Sequence, residues 1–180
     1  MKTKIAALLM LIPFIFAACS SARDDNAARS APSDAATDSG YLLDTSASCE
    51  DVNYLIDSHW KIVDTNASGN EYKIPESITL HLWYEEPLRG ESPEDTLFRG
   101  TNIEKDDIFT NESFEFNSEK ARRTEEYSKT TVGDTDYEFY DSVISFIRND
   151  KVFHITILGY KTDQELCHKI IEDVFSSISF

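Results

Sequence analysis

Tyr137-Glu138-Phe139-Tyr140-Asp141-Ser142-Val143-Ile144-Ser145-Phe146-Ile147-Arg148, then Asn149-Asp150, then Lys151-Val152-Phe153-His154-Ile155-Thr156-Ile157-Leu158-Gly159-Tyr160, is the stretch that decides the fold. Two runs rich in β-branched and aromatic residues flank a two-residue turn signal, which is the pattern of a hairpin. In the first run Phe139, Val143 and Ile147 lie on one side, with Tyr140, Ile144 and Phe146 on the other. In the second, Phe153, Ile155 and Ile157 oppose Val152 and Leu158. Strands that are apolar on both faces need cover on both.

Working outward, 127–132 joins this pair through Gly133-Asp134 and makes a three-stranded antiparallel meander. Downstream, 162–177 predicts a helix, because Leu166, Ile170, Val174 and Ile178 recur as one stripe that Ile171 and Phe175 widen. That helix supplies one cover. Near the other end, Ser48-Cys49-Glu50-Asp51 reads as a capping box, followed by Val52, Leu55, Ile56 and His59 at helical spacing. This N-terminal helix is expected to supply the second cover. The fold class is therefore α+β, a mostly antiparallel sheet between N-terminal and C-terminal helices, in an αβα sandwich.

The middle of the chain is mixed. Trp60-Lys61-Ile62-Val63 is β-prone, and 66–70 with Gly69 reads as a turn. Ile78, Leu80, Leu82 and Tyr84 alternate with Thr79, His81 and Trp83, giving a strand with one aliphatic and one mixed face. Ser92-Pro93-Glu94-Asp95 places a cap residue before a proline at the first helical position, with Gly100 as the stop. Phe114 and Phe116 point to another strand. The charged run 119–126 fits either a helix or an exposed strand, and the pattern alone does not choose.

At the N-terminus, Lys2 and Lys4 precede an apolar run from Ile5 to Phe16, broken only by Pro13. A permanent spanning helix needs about 20 apolar residues, so this run is an export signal rather than an anchor. Ala17 and Ala18 lead directly into Cys19. The segment resembles the lipobox of bacterial lipoproteins, although Phe16 stands where leucine is commonest. That resemblance implies a signal peptide over 1–18 and a lipidated Cys19 as first residue of the exported chain. The rival is plain secretion, with cleavage after Ala22 satisfying the small-x-small rule through Ser20 and Ala22. Residues 19–40 are dominated by Ser, Ala, Asp and Asn and read as a disordered tether, able to span on the order of 25 Å. Residues 41–180 are the size of one domain.

The stretch 140–180, with its Asn149-Asp150 turn, Ile155-Thr156-Ile157 and the closing Ser176-Ser177-Ile178-Ser179-Phe180, resembles the end of PsbP-like domains. These occur in bacterial lipoproteins and in photosynthetic oxygen evolution. The family's early Pro-x-x-Trp is missing, and Ile74-Pro75-Glu76-Ser77 is its nearest counterpart. The resemblance implies a binding or scaffolding role.

The charge balance narrows the partners. The chain holds 33 acids against 17 Lys and Arg, a formal net charge of −16, and loss of the signal makes it more acidic still. Nucleic acid and adsorption to anionic lipid are both disfavoured. The lipid would have to hold the membrane alone, and a protein partner fits better than a polyanion.

Two cysteines follow Cys19. Cys49 and Cys167 are a candidate disulfide, which the chain-entropy model values at about 4.7 kcal/mol for a loop of this length, and two buried free thiols are the alternative. Cys167-His168 do not converge on one metal, because adjacent helical residues point about 100° apart. No metal ligand set and no cofactor motif is assigned. His81 and His154 both lie in strands and are able to share a face, most simply as structural residues. Glu85-Glu86 at a strand end suggests acid–base work, but adjacent strand residues point to opposite faces; Arg122-Arg123 sits among glutamates that neutralise it, and Asp134-Thr135-Asp136 lacks the closing glutamate of a calcium loop and reads as a solvated turn. The sequence points to a lipid-anchored extracytoplasmic binding or scaffold domain at a bacterial membrane. The alternatives are a surface hydrolase using Glu85 or Glu86 with His81, and an immunity-type lipoprotein whose acidic surface blocks a basic toxin.

Overall fold

The computed structural model describes residues 40–66, 68–99 and 108–180. The signal, Cys19, almost all of the tether and Gly100 lie outside these residues. Nine strands and two helices are seen among them. A hairpin of β1 (Thr45–Cys49) and β2 (Val52–Ile56) comes first. A seven-stranded sheet follows, built from β3 (Lys61–Asn66), β4 (Gly69–Ile74), β5 (Ile78–Glu85), β6 (Ile108–Phe116), β7 (Glu119–Val132), β8 (Thr135–Arg148) and β9 (Lys151–Tyr160), in the order β3-β4-β5-β9-β8-β7-β6. Every pairing in it is antiparallel. The helices are α1 (Pro93–Leu97) and α2 (Gln164–Ser176). No described helix is long and apolar enough to cross a membrane.

The meander forms as the sequence predicts, with the Asn149-Asp150 turn carrying positive φ at both residues, 48° and 60°. A second turn of this kind, Asn117-Ser118 at 50° and 66°, settles the ambiguous charged run. It folds β7 back onto β6, so 119–126 is a strand, and Ala121 and Glu125 turn into the core. The C-terminal helix also forms, with Ile170, Ile171 and Val174 fully buried.

The N-terminal helix does not form. Glu50 adopts φ 54°, in the left-handed region, and the chain reverses there into the β1–β2 hairpin. The buried residues of β2 are Val52, Tyr54 and Ile56, a period of two rather than 3.6. Tyr54 is the residue that the helical reading left out. Its hydroxyl meets that of Tyr72 on β4 at 2.9 Å, a pairing that a helix would forfeit.

The hairpin also packs on the same face as α2. Leu55 N donates to Ser177 Oγ at 2.9 Å, and Asn53 and Ser179 exchange two backbone bonds of 2.9 Å. One face of the sheet is thus covered by hairpin and helix together. On the other, among the described residues, only the five-residue α1 is packed. The expected αβα sandwich is corrected to two layers with a partial third.

The core lies between the sheet and the hairpin–helix layer. In register, Leu82 faces Ile155, which faces Ile144, and beside them Leu80 faces Ile157 and Phe153 faces Phe146. All are fully buried. Cys49 and Cys167 both join this core as separate free thiols, so the disulfide is not formed. Cys49 Sγ lies 3.7 Å from the Ser68 carbonyl at one end, whereas Cys167 lies on α2 over β9. Burial pushes their thiols up to about 11 and about 12 respectively, which makes both inert.

Cys167 marks the closest approach of helix to sheet. A methyl group on Gly159 would lie 2.6 Å from Cys167 Sγ and 3.2 Å from Ile78 Cγ1. Gly159→Ala should therefore destabilise the protein by about 1–3 kcal/mol in urea unfolding, as overpacking does. Adding Cys167→Ala should recover part of that loss, because the sulfur is the tighter contact. Additive losses in the double variant would mean that α2 does not seat on β9 in this way.

Candidate functional site

The face opposite the core carries the polar chemistry. From β5 it takes Thr79, His81, Trp83 and Glu85, and from β9 Val152, His154, Thr156 and Leu158. β8 adds Asp141, Val143, Ser145 and Ile147. Alternation along each strand puts all of these on one side. Across strands, Trp83 pairs with His154 and His154 with Ser145, and these three residues form a row.

Trp83 is held between two imidazoles. Its ring stacks on His154 at 4.3 Å and on His81 at 5.9 Å, near-parallel in both cases. Its neighbour on β4 is Gly69, where an added Cβ would lie 2.6 Å from both Trp83 Cβ and the Leu82 carbonyl oxygen, so the two strands approach too closely there for a side chain. The expectation that His81 and His154 share a sheet face is met, with Trp83 between them. Burial also pulls the His81 imidazole below its ordinary value, against the opposing charges of Glu71 and Asp64.

Beyond Trp83, α1 closes one end of the face. Its N-terminus is capped by Ser92 with Pro93 following, as the sequence predicts, and Asp95 bonds back to the Ser92 backbone to complete a capping box. Thr96 and Leu97 are buried, and the helix packs on β7, β8 and β9. Arg99, just past it, donates to Glu85 at 3.1 Å and pairs with Glu91, and Lys120 on β7 pairs with Glu94. At this end Val152, Ser145 and His154 are buried.

His154 is the centre of a chain of polar groups. Its Nδ1 is 2.8 Å from Ser145 Oγ. Its Nε2 has no hydrogen-bond partner and faces Glu85 Oε1 at 3.4 Å, beyond a well-formed bond. Burial, the largest effect, holds the imidazole well below its ordinary value of 6.5 despite the pull of Glu85, and it is neutral at pH 7. Serine, histidine and carboxylate are thus in sequence, but with the ring nitrogens in the reverse of hydrolase roles, where serine bonds Nε2 and the acid Nδ1. Ser145 is itself buried, so a substrate carbonyl has no approach to Oγ while α1 is in place.

The remaining candidates separate. Glu85 and His81 share the face but Trp83 stands between them. Glu86 lies outside the strand, with Lys151 Nζ at 3.8 Å. Arg122 and Arg123 point to opposite faces. Arg122 Nε donates to Asn111 at 3.1 Å, and Arg123 pairs with Glu172 of α2. Asp136, in the β7–β8 hairpin tip, pairs with Lys129 at 2.6 Å. His168 turns away from Cys167 and donates through Nδ1 at 3.0 Å to Glu125, a buried carboxylate that also accepts from Tyr140 Oη. Burial tends to raise Glu125, but the bonds from Thr110, Tyr140 and His168 together outweigh it and hold the carboxyl below its ordinary value. Among the described residues no group of three or more His, Cys, Asp or Glu is placed to hold a metal ion.

Sequence reasoning missed Ser145, Trp83 and Arg99. The register that joins Ser145 to His154 follows from the Asn149-Asp150 turn, so that pairing was readable. Arg99 was not, because α1 crosses the face from outside the sheet.

Gly69→Ala should push Trp83 from its slot. The expected results are loss of the near-ultraviolet circular dichroism of a fixed indole and a fall in stability of about 1–3 kcal/mol. An unchanged spectrum would show that the indole does not depend on this slot.

No family model matches the chain, and no curated protein matches it in sequence. Among solved structures it is similar to cyanobacterial PsbP (CyanoP) from Synechocystis sp., with a TM-score of 0.49 and 13% identity over 75% of this chain and 89% of that one. It is similar to a Mog1 mutant, with a TM-score of 0.49 and 8% identity over 77% and 96%. LpqN, described as involved in cell envelope biogenesis of Mycobacterium tuberculosis, matches with a TM-score of 0.47 and 8% identity over 71% and 82%. No residue of this chain takes a role from any of them.

Proposed function

We propose that this chain is a lipid-anchored extracytoplasmic binding domain without catalytic activity, held at a bacterial cell or outer membrane through Cys19 and presenting its second sheet face to a protein partner. The observation that carries the binding role is the part of that face beyond α1. There His81, Trp83 and Thr156 are only half-buried and Leu158 is 40% exposed, whereas their strand neighbours Leu80, Leu82, Ile155 and Ile157 are fully buried on the other side. An aromatic and aliphatic strip of this kind on a rigid sheet is the kind of surface that partners use. The order of Ser145, His154 and Glu85, and the cover over Ser145, favour binding over hydrolysis. The export signal, Cys19 and the acidic tether support the anchor, and the strong negative charge leaves lipid as the means of attachment.

Two experiments test this. Radiolabelled palmitate should enter the wild-type protein, and Cys19→Ala should abolish both labelling and membrane retention. A Cys19→Ala protein that still labels and stays in the membrane fraction would falsify the anchor. Chemical cross-linking in the native membrane should capture a partner that Leu158→Asp, folded by circular dichroism, no longer captures. Equal capture by both proteins would remove this face from the binding role.

A further inference from the structure

The charge-bearing groups around His154 tie the sheet to its cover. On β8, Ser145 Oγ meets Nδ1. On β5, Glu85 faces Nε2, and His81 lies farther along beyond Trp83. After α1, Arg99 bonds that same Glu85 and also Glu91, so the clamp on the helix and the environment of the imidazole share one carboxylate. On β7, Arg122 extends the row beyond Ser145 but bonds Asn111. Of these, Ser145 Oγ is the near partner of the ring, and Glu85 stands beyond a well-formed bond. With Ser145 donating to Nδ1, the remaining ring proton sits on Nε2 towards Glu85. A second proton would occupy Nδ1, so that the Ser145 hydroxyl would have to turn and accept through Oγ rather than donate.

We propose that α1 is an acid-released cover, in which protonation of His154 favours a state with α1 lifted from β7, β8 and β9 and the imidazole open to water.

The sign follows from burial. In the covered state the neutral ring is favoured, since burial outweighs the attraction of Glu85, while Arg99 and His81 add repulsion. Lifting α1 removes the burial and returns the ring towards its ordinary value. The lifted state therefore binds the proton more tightly, and between the two titrations its share rises about tenfold for each unit fall in pH. The cover is weakly held. It is one five-residue helix with Leu97 and Thr96 inserted, and its ion pairs to Glu85 and Lys120 lie at the surface, where such pairs contribute little. A local opening of this kind is drawn from the low-stability end of a fold. What opens is Ser145, His154 and Val152, which continue the strip of His81 and Trp83. Acid would thus enlarge the face assigned above to a partner, and the inference rests on that reading only for its purpose, not for the motion.

Hydrogen exchange on the full chain tests the motion alone. The amides of Thr96, Phe98 and Arg99 bond Ser92, Glu94 and Thr96 carbonyls within α1 and report its state. Corrected for intrinsic rates, their protection should fall at least about tenfold between about pH 7 and about pH 4, while the β8–β9 ladder amides stay protected. The His154 ring, followed by nuclear magnetic resonance, should titrate over the same range. In His154→Phe, which keeps a ring against Trp83, the fall should vanish. Protection of α1 that does not change with pH, or that falls equally in His154→Phe, overturns the proposal. If His154→Phe fails to fold, an imidazole titration in the wild type that does not coincide with the loss of α1 protection overturns it instead. Failure of partner capture in the cross-linking experiment leaves this result untouched.

Discussion

The row Leu82–Ile155–Ile144 at the centre of the sheet is the constraint on which the rest depends. Each residue is directly opposite the next in register and fully buried. A slip of one residue in β9 would put Val152, His154 and Thr156 into the core and Ile155 and Ile157 into water. Every other placement follows from this register. The face that holds Ile155 must be covered, which recruits α2 and the β1–β2 hairpin. The face that holds His154 is left to polar and aromatic residues. The two-residue turn at Asn149-Asp150 enforces the register, because both residues take a left-handed conformation that fixes loop length and hence pairing.

What was legible in the sequence was what periodicity and turn chemistry determine over a long stretch. The meander, α2, β5 and the Ser92-Pro93 start of α1 all have runs or caps with a clear physical signature. The hairpin β1–β2 was misread because five residues are too few to separate period two from 3.6. Val52 and Ile56 fit both periods, and only Tyr54 against Leu55 discriminates between them. Glu50 hid the turn, since a glutamate at positive φ is not a residue that announces one. The strand β7 was ambiguous for another reason. Its charges are real, but Glu125 and Arg123 face inward to partners on α2, and that pairing depends on tertiary structure. In the same way the two histidines of the face were readable as neighbours, while the helix that buries one of them was not.

The covered face and the half-open face differ in how they treat glycine. Gly159 lets a helix approach a strand, and the space is filled by Cys167. Gly69 lets β4 approach β5 closely beside Trp83 Cβ and the Leu82 carbonyl oxygen. In the first case the missing side chain serves the core. In the second it serves the close pairing of two strands at the residue that carries the stacked indole. A stacked aromatic row on a face that only a short helix covers is costly to maintain for packing alone, because part of its surface still meets water.

Two buried titratable groups show how the same fold handles charge on its two sides. Glu125 stays charged beneath α2 because Thr110, Tyr140 and His168 supply bonds that together outweigh burial. His154 stays neutral beneath α1 because one serine and one distant carboxylate do not. The contrast lies in both depth and bonds, since burial is the largest influence on His154 and is outweighed at Glu125. A carboxylate with three donors is fixed in one state over the whole physiological range and acts as a rivet between sheet and helix. An imidazole with one bonded nitrogen and one without a hydrogen-bond partner is fixed only while the helix above it stays down. The stable side of the molecule is therefore the side with a satisfied charge, and the side with the unsatisfied nitrogen is the one that has a second state within reach.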